Sequence, residues 1–343
     1  MQKRDFPRNC NSNTMKTMEP LILGLDIGGT KIAGGLLTHT GERVARKELP
    51  NEQAKGFAHS SGQMNRVVEG LIQHAREKDA GITGIGACAP GPMDVERGIL
   101  FNPPNLEGWQ DLALREMLEG RFKVAVCMDN DANAAGLAEA LWGAGKGFDH
   151  VFYATVSTGI GTGIILNRHI LHGKNGMAGE GGHVTIQYED TDARCNCGNT
   201  GCIESYASGT SVARRARKAL DRLPEKPVLL EKETGGDWES LTMKHLANAA
   251  RQGDAFSLGR IEEAGTLLGI WLGSIVSLLD PDIVIVGGGV SRAGEPLFDA
   301  IRRELPRRTI NPFAAETPVV KAKLGQDVGI FGAAALVLEG THP

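Results

Sequence analysis

No stretch of this 343-residue chain reads as the roughly 20 consecutive apolar residues of a membrane span. No membrane partner is therefore expected. Neither sign of charge dominates: 37 Lys and Arg stand against 41 Asp and Glu, a net charge of -4. That balance gives no global attraction to nucleic acid or anionic lipid. An apolar secretory core is missing from the start of the chain, and a core of this size needs no disulfide staples, so a reducing cytoplasm is expected. The 46 glycines keep no fixed period, which excludes collagen-like and low-complexity readings. What remains is ordinary globular usage, 41% hydrophobic and 23% charged, with length for about two domains of roughly 150 residues.

The first 20 residues are polar and aperiodic and read as a disordered tail. Order begins with the apolar run Leu21 to Ile27, a buried strand, followed by strands near Lys31 to Leu37 and Arg43 to Leu49. Met64, Val67, Val68, Leu71, Ile72 and Ala75 repeat at helical spacing and predict an amphipathic helix over 57–77. Strands are predicted over 82–87 and 123–128, then a helix over 131–142. A second strand series starts at Val151. A long helix is expected to end before Asp280-Pro281, a short apolar strand covers 283–286, and an Ala-rich helix runs over 328–338. The pattern strand, glycine turn, strand occurs near Asp26 and again near Thr158.

Three glycine turns stand at strand ends. In Asp26-Ile27-Gly28-Gly29-Thr30-Lys31 the glycines let backbone N–H groups approach an anion closely. Asp26 would face the phosphates, and a carboxylate there requires a cation, so Mg²⁺ is implied. A tight hairpin with an exposed Asp is the plain alternative. The GxxxxGK[ST] spacing of a Walker loop is absent. The second turn is Ser157-Thr158-Gly159-Ile160-Gly161, and the third is Gly287-Gly288-Gly289, which closes a buried strand where open α/β sheets bind ligands. Together they point to a nucleotide held between two lobes.

Asp129-Asn130-Asp131-Ala132-Asn133 crowds polar groups at a strand-to-helix junction. One such residue caps a helix. A carboxylate beside a nucleotide cleft can also take the proton of an attacking hydroxyl, which makes Asp131 the candidate base. His183 with Cys195, Cys197 and Cys202 forms a Cys₃His set, the donor count of a closed, structural Zn²⁺ site. Glu180 and Glu204 flank these ligands, where a metal fold would bring two hydrogen-bond acceptors near a sugar. Cys10, Cys88 and Cys127 are scattered thiols, the last two in apolar runs.

LGLDIGGTK, STGIGTG, DNDANAAGLAE, GEGGHV and CNCGNTGCIESYASG together resemble the ROK family of sugar kinases, over about 21–338. The resemblance implies an α/β, two-lobed actin/hexokinase-like (ribonuclease H-like) fold with an interlobe cleft. Its small lobe would span 21–129, completed by a C-terminal helix at 328–340, and its large lobe 130–327. It implies ATP bound at Asp26, Gly28, Gly29, Thr30, Lys31, Thr158, Gly159, Gly287, Gly288 and Gly289. Sugar would be held by Gly91, Asn105, Asn130, Asp131, Glu180, His183 and Glu204, with zinc on His183, Cys195, Cys197 and Cys202. Gly91 and Asn105 belong to APGPMD and NPPNLEGW, which resemble the family's sugar-side loops. The implied reaction is in-line transfer from ATP to the 6-hydroxyl of glucose. N-acetylmannosamine and N-acetylglucosamine are alternative acceptors. A homodimer is expected, again by resemblance. The family also contains sugar-responsive repressors, but the residues before Leu21 are too few, and lack the periodicity, for a DNA-binding helix-turn-helix.

Overall fold

A computed structural model describes residues 19–103 and 106–340. The expected tail, apart from Glu19 and Pro20, lies outside the described residues, as do Cys10 and the sugar-side Asn105.

Three strands open the chain: β1 (Leu21–Ile27), β2 (Lys31–Leu37) and β3 (Arg43–Pro50). Helix α1 (Phe57–Glu77) then returns the chain to β4 (Ile82–Ala89). A small three-stranded sheet follows, β5 (Met93–Asp94), β6 (Ile99–Leu100) and β7 (Leu112–Ala113), which sequence reading did not find because its strands are two residues long. Helix α2 (Leu114–Phe122), β8 (Val126–Asn130) and α3 (Asp131–Trp142) complete the first half. The first main sheet has the order β3-β2-β1-β4-β8, antiparallel on the β2 side of β1 and parallel on the β4 side. The apolar row predicted on α1 packs here: Met64, Val67, Val68 and Leu71 are buried with Leu23, Leu25 and Ile32.

The second half repeats that plan. Strands β9 (Val151–Val156), β10 (Ile160–Leu166) and β11 (His169–Ile170) form the antiparallel part. After a long loop come α4 (Glu204–Ala207), α5 (Gly209–Leu220), α6 (Val228–Thr234), α7 (Met243–Arg251) and α8 (Ala255–Leu279). Strand β12 (Ile283–Gly287), helix α9 (Glu295–Glu304), strand β13 (Val319–Lys321) and helix α10 (Val328–Gly340) close the chain. The second sheet runs β11-β10-β9-β12-β13, the same arrangement with the same strand directions.

Helix α8 corrects one expectation, since by length and mean hydropathy (1.3) it does meet the measure of a membrane span. In the fold it is a core helix, with Ile261, Leu268, Trp271 and Leu272 buried against β9 and β12 side chains.

Two Ala-rich helices, α3 and α10, fill the space between the sheets. Ala134, Ala135 and Leu137 of α3 are buried with Ala333, Ala335 and Leu336 of α10, and with Tyr153 and Ile285 of the second sheet. Small side chains allow this close approach. At Gly24 of β1 an added Cβ would lie 2.1 Å from the Ile330 carbonyl oxygen, so only glycine lets α10 sit on that strand. The layer delivers the start of α3 to the boundary between the two sheets, and that placement positions the site.

Candidate active site

The junction of β8 and α3 separates capping from chemistry. Asn130 is the cap: its side-chain oxygen accepts the N–H groups of Ala132 at 2.8 Å and Asn133 at 3.4 Å. Asp131, the first helical residue, has no capping task and is solvent-exposed. Protein nevertheless packs closely around it. Desolvation pushes its carboxyl above the ordinary value, the charge of Glu180 pushes the same way, and the Ala132 N–H opposes both. Asp129 faces inward at 1% exposure. It accepts from Asn130 N–H at 2.6 Å and Asn133 Nδ2 at 3.0 Å, and lies 2.5 Å from His172 Nε2.

Asp26 ends β1 on the other side of the cleft. Burial, then the charge of Asp131, raises its pKa to about 6, with Cys88 and Lys31 opposing. Two carboxylates that disfavour each other's ionisation in one cleft form a donor set suited to a cation. The following turn is braced from a segment that sequence reading passed over. Asn51, fully buried, donates to the Gly28 carbonyl at 2.7 Å, and its own N–H donates to the Thr30 carbonyl at 2.9 Å. Gln53 donates to the Gly29 carbonyl and accepts the Glu107 N–H at 3.1 Å. One side chain therefore ties the first glycine turn to the loop that carries Glu107-Gly108-Trp109. Lys31 points its ammonium at Glu48, 2.8 Å away.

The second glycine turn carries no acid of its own. Glu204, at the start of α4, supplies one: its Oε2 accepts the Ile160 N–H at 2.7 Å. A Cβ on Gly159 would lie 2.5 Å from that oxygen, so the turn is shaped around the carboxylate. Glu204 Oε1 lies 3.6 Å from Cys195 Sγ.

His183, Cys195, Cys197 and Cys202 place one ligand atom each within 4.8 Å of one another. Cys195 Sγ is 3.4 Å from His183 Nδ1, and Cys197 Sγ is 3.7 Å from Cys202 Sγ. A tetrahedron with metal–sulfur bonds of ~2.3 Å has an edge of about 3.8 Å, so the four residues fit a metal ion. His183 Nε2 faces Glu180, 3.9 Å away. Cys88 is buried as expected, and Cys127 is partly buried.

Two cavities connect these parts. One, of about 850 Å³, is lined by Gly91, Asn130, Thr158, Gly159, Glu180, His183, Cys195, Cys197 and Glu204, so it draws on both halves of the chain. The other, of about 560 Å³, is lined by Leu241, Met243, Ala213, Ala247 and Val290 together with Arg217, Lys244, Arg251, Arg292 and Gly289. They share Thr158 and Thr210 in their walls. Gly287 and Gly288 stand behind Gly289, outside these walls. Asp26, Gly28, Gly29, Thr30 and Lys31 are also outside them. The α5–α7 wall of the second cavity had no counterpart in the motif reading. Its one sequence signal is the capping box at Thr242 and His245, which marks a helix start and no ligand.

Paired sheets of identical plan, with a cleft at their shared boundary, define the two-lobed actin/hexokinase-like class. The sequence profile of the ROK family matches residues 22–340, and the chain belongs to that family. It is 36% identical to the glucokinase of Halalkalibacterium halodurans over 92% of this chain and 94% of that protein. The glucokinase of Thermotoga maritima is 34% identical over 93% and 97%. The fold superposes on a ROK family glucokinase from Streptomyces griseus in complex with glucose and AMPPNP at TM-score 0.79. That pair is 33% identical, covering 93% of this chain and all (100%) of the other.

Proposed function

We propose that this protein transfers the γ-phosphoryl group of ATP to the 6-hydroxyl of glucose. One observation carries the reading. Asp131 is relieved of capping by Asn130 and stands in the fields of both Asp26 and Glu180, between the phosphate turn and the metal loop. A carboxylate with a raised pKa, open to a cleft, is suited to accept a hydroxyl proton.

The sugar would occupy the 850 Å³ cavity, with Glu180, Glu204 and Asn130 in its walls to take and give hydrogen bonds to hydroxyls. The adenine would enter the 560 Å³ cavity between Leu241, Met243 and Val290, and its phosphates would cross at Thr158 and Thr210. Asp131 then takes the 6-hydroxyl proton as that oxygen attacks in line. Glycine-turn amides at Gly28, Gly29 and Gly159 stabilise the phosphate oxygens. Asp26 would hold Mg²⁺, which supplies charge neutralisation at the phosphates. His183, Cys195, Cys197 and Cys202 would hold Zn²⁺ as a closed clip that keeps Glu180 and Glu204 on one loop. Closure of the cleft would exclude water as a competing acceptor. We assign the small lobe to 21–129 with the helix at 328–340, and the large lobe to 130–327. We expect a homodimer in the cytoplasm.

Hexoses and N-acetylhexosamines assayed with ATP and Mg²⁺ test this reading. Glucose should give the highest kcat/KM, and 6-deoxyglucose should bind without being phosphorylated. A higher kcat/KM for N-acetylmannosamine or N-acetylglucosamine would replace the acceptor and leave the phosphoryl transfer standing. No ATP-dependent turnover of any of these sugars would overturn the assignment.

A further inference from the structure

Behind the metal loop lies a third cavity, of about 270 Å³, which the proposed reaction does not use. Its walls carry five cations, Arg214, Arg215, Lys218, Arg222 and Arg260, against Asp190 and Asp192. Arg214 and Lys218 stand one helical turn apart on α5, and Arg222 follows in the turn after it. Like charges at that spacing repel by a few tenths of a kcal/mol per pair. Lys218 and Arg222 are exposed and make no ion pair or side-chain hydrogen bond among the described residues.

The remaining charges are largely committed. Glu263 is shared, 2.6 Å from Arg215 and 2.6 Å from Arg260. Asp190 accepts the Tyr206 hydroxyl at 2.9 Å, and Arg215 also lies over the Tyr206 ring. Arg214 donates to the Ser205 carbonyl at 2.9 Å. The Arg260 Nε–H is buried and has no hydrogen-bond partner among the described residues. Counting Glu263, five cations meet three acids around a partly open space.

We propose that this cavity binds a phosphorylated small molecule. Guanidinium forks match phosphate oxygens in charge and geometry, and a ring of them in a partly enclosed space binds phosphate esters selectively. The volume falls just below the roughly 300–1,000 Å³ of drug-sized pockets, which suits a sugar phosphate. Ser205 and Arg214 also line the sugar cleft, so the ligand would sit one side chain away from it.

Fructose 1,6-bisphosphate is a suitable probe, because it carries two phosphates and no free 6-hydroxyl to be phosphorylated. Its binding should be measured by calorimetry on the full chain with saturating glucose and AMPPNP in the cleft. Saturable binding is expected, weakened at least tenfold by Lys218→Glu with Arg222→Glu. Both residues are exposed, so the double variant should keep its melting temperature and its glucose turnover within twofold. Sodium sulfate at matched ionic strength should not reproduce the heat. Absence of saturable binding, equal binding by the double variant, or an equal response to sulfate would each overturn the proposal. The glucose assay reports separately on the phosphoryl transfer.

Discussion

The two sheets place the same kind of turn at the same position, β1 to β2 in one and β9 to β10 in the other, yet they acquire their acid differently. Asp26 belongs to its own strand. The second turn borrows Glu204 from a helix 44 residues further on, bonded to the Ile160 N–H. The first acid is partly buried near Asp131, and its pKa is raised to about 6. The second is already committed to a backbone donor and lies against Cys195 of the proposed metal site. Equal topology therefore does not mean equal chemistry. One turn is expected to act by charge on phosphates and the other by shape, coupling phosphate and sugar.

Asp131 lies in the fields of Asp26 and Glu180, and its loss should have the largest effect. Asp131→Asn keeps the hydrogen-bonding outline and removes the proposed base, a loss that typically costs ~10²- to 10⁴-fold in rate. Steady-state kinetics should show kcat falling by about that much with glucose KM little changed. A variant retaining more than half of kcat would place the base elsewhere.

The acids themselves test the comparison directly. Asp26→Asn should lower kcat by about 10²-fold, since a metal at the phosphates is worth several kcal/mol. Glu204→Gln keeps an acceptor for Ile160 and loses only charge. It should raise glucose KM by about tenfold, the worth of a charge-assisted hydrogen bond. If the two variants lost the same parameter by the same factor, the distinction between the turns would fail.

Metal removal should separate them further. Zinc is expected at about one per chain, set by the four-residue site. Cys197→Ser should lose it, lower the melting temperature and raise glucose KM, with ATP KM nearly constant because Asp26 lies outside the loop. Freshly purified protein without zinc would remove the clip from the scheme.

Much of this was legible in the linear sequence, for a physical reason. Asp26, Asp131 and the Cys₃His set lie in short local motifs where turn, cap and ligand chemistry demand particular residue types. The strands and α1 announced themselves by apolar runs and by the helical row from Met64 to Ala75. The α5–α7 wall did not, since Met243 and Ala247 are ordinary helix residues, and Leu241 an ordinary apolar one before them, that become a pocket only when the Gly289 turn faces them. Asn51 and Gln53 were equally silent: each acts on backbone groups more than twenty residues away in sequence. The charge-bearing turn thus depends on a brace that its own motif does not contain. Gln53→Leu should weaken that turn and its tie to Glu107 together. Two net hydrogen bonds at ~0.5–1.5 kcal/mol each predict a several-fold loss in kcat/KM for both substrates, larger than for Lys55→Ala two residues on.

The smallest expected effect concerns the tether of the loop that leads into Glu180. His172 lies 2.5 Å from the buried Asp129 carboxylate, which in turn holds Asn130 and Asn133 at the start of α3. The bond to Asp129 is the main cause that raises the His172 pKa above its ordinary 6.5, with desolvation opposing and the charges of Asp129 and Glu339 adding. A histidine with a raised folded pKa contributes stability that is complete below its unfolded value and is lost as pH rises through the folded one. The loss is partial, because neutral imidazole can still donate one N–H to Asp129. The shape-dependent side of the cleft should therefore loosen as pH rises through the His172 pKa, while the phosphate turn at Asp26 does not. Glucose KM should rise by about two- to threefold above the His172 pKa, the scale of a half-exposed ion pair, with ATP KM flat. His172→Gln, which keeps a donor and cannot gain charge, should start from the higher KM and show no such rise. An unchanged pH profile in that variant would mean that another group governs the loop.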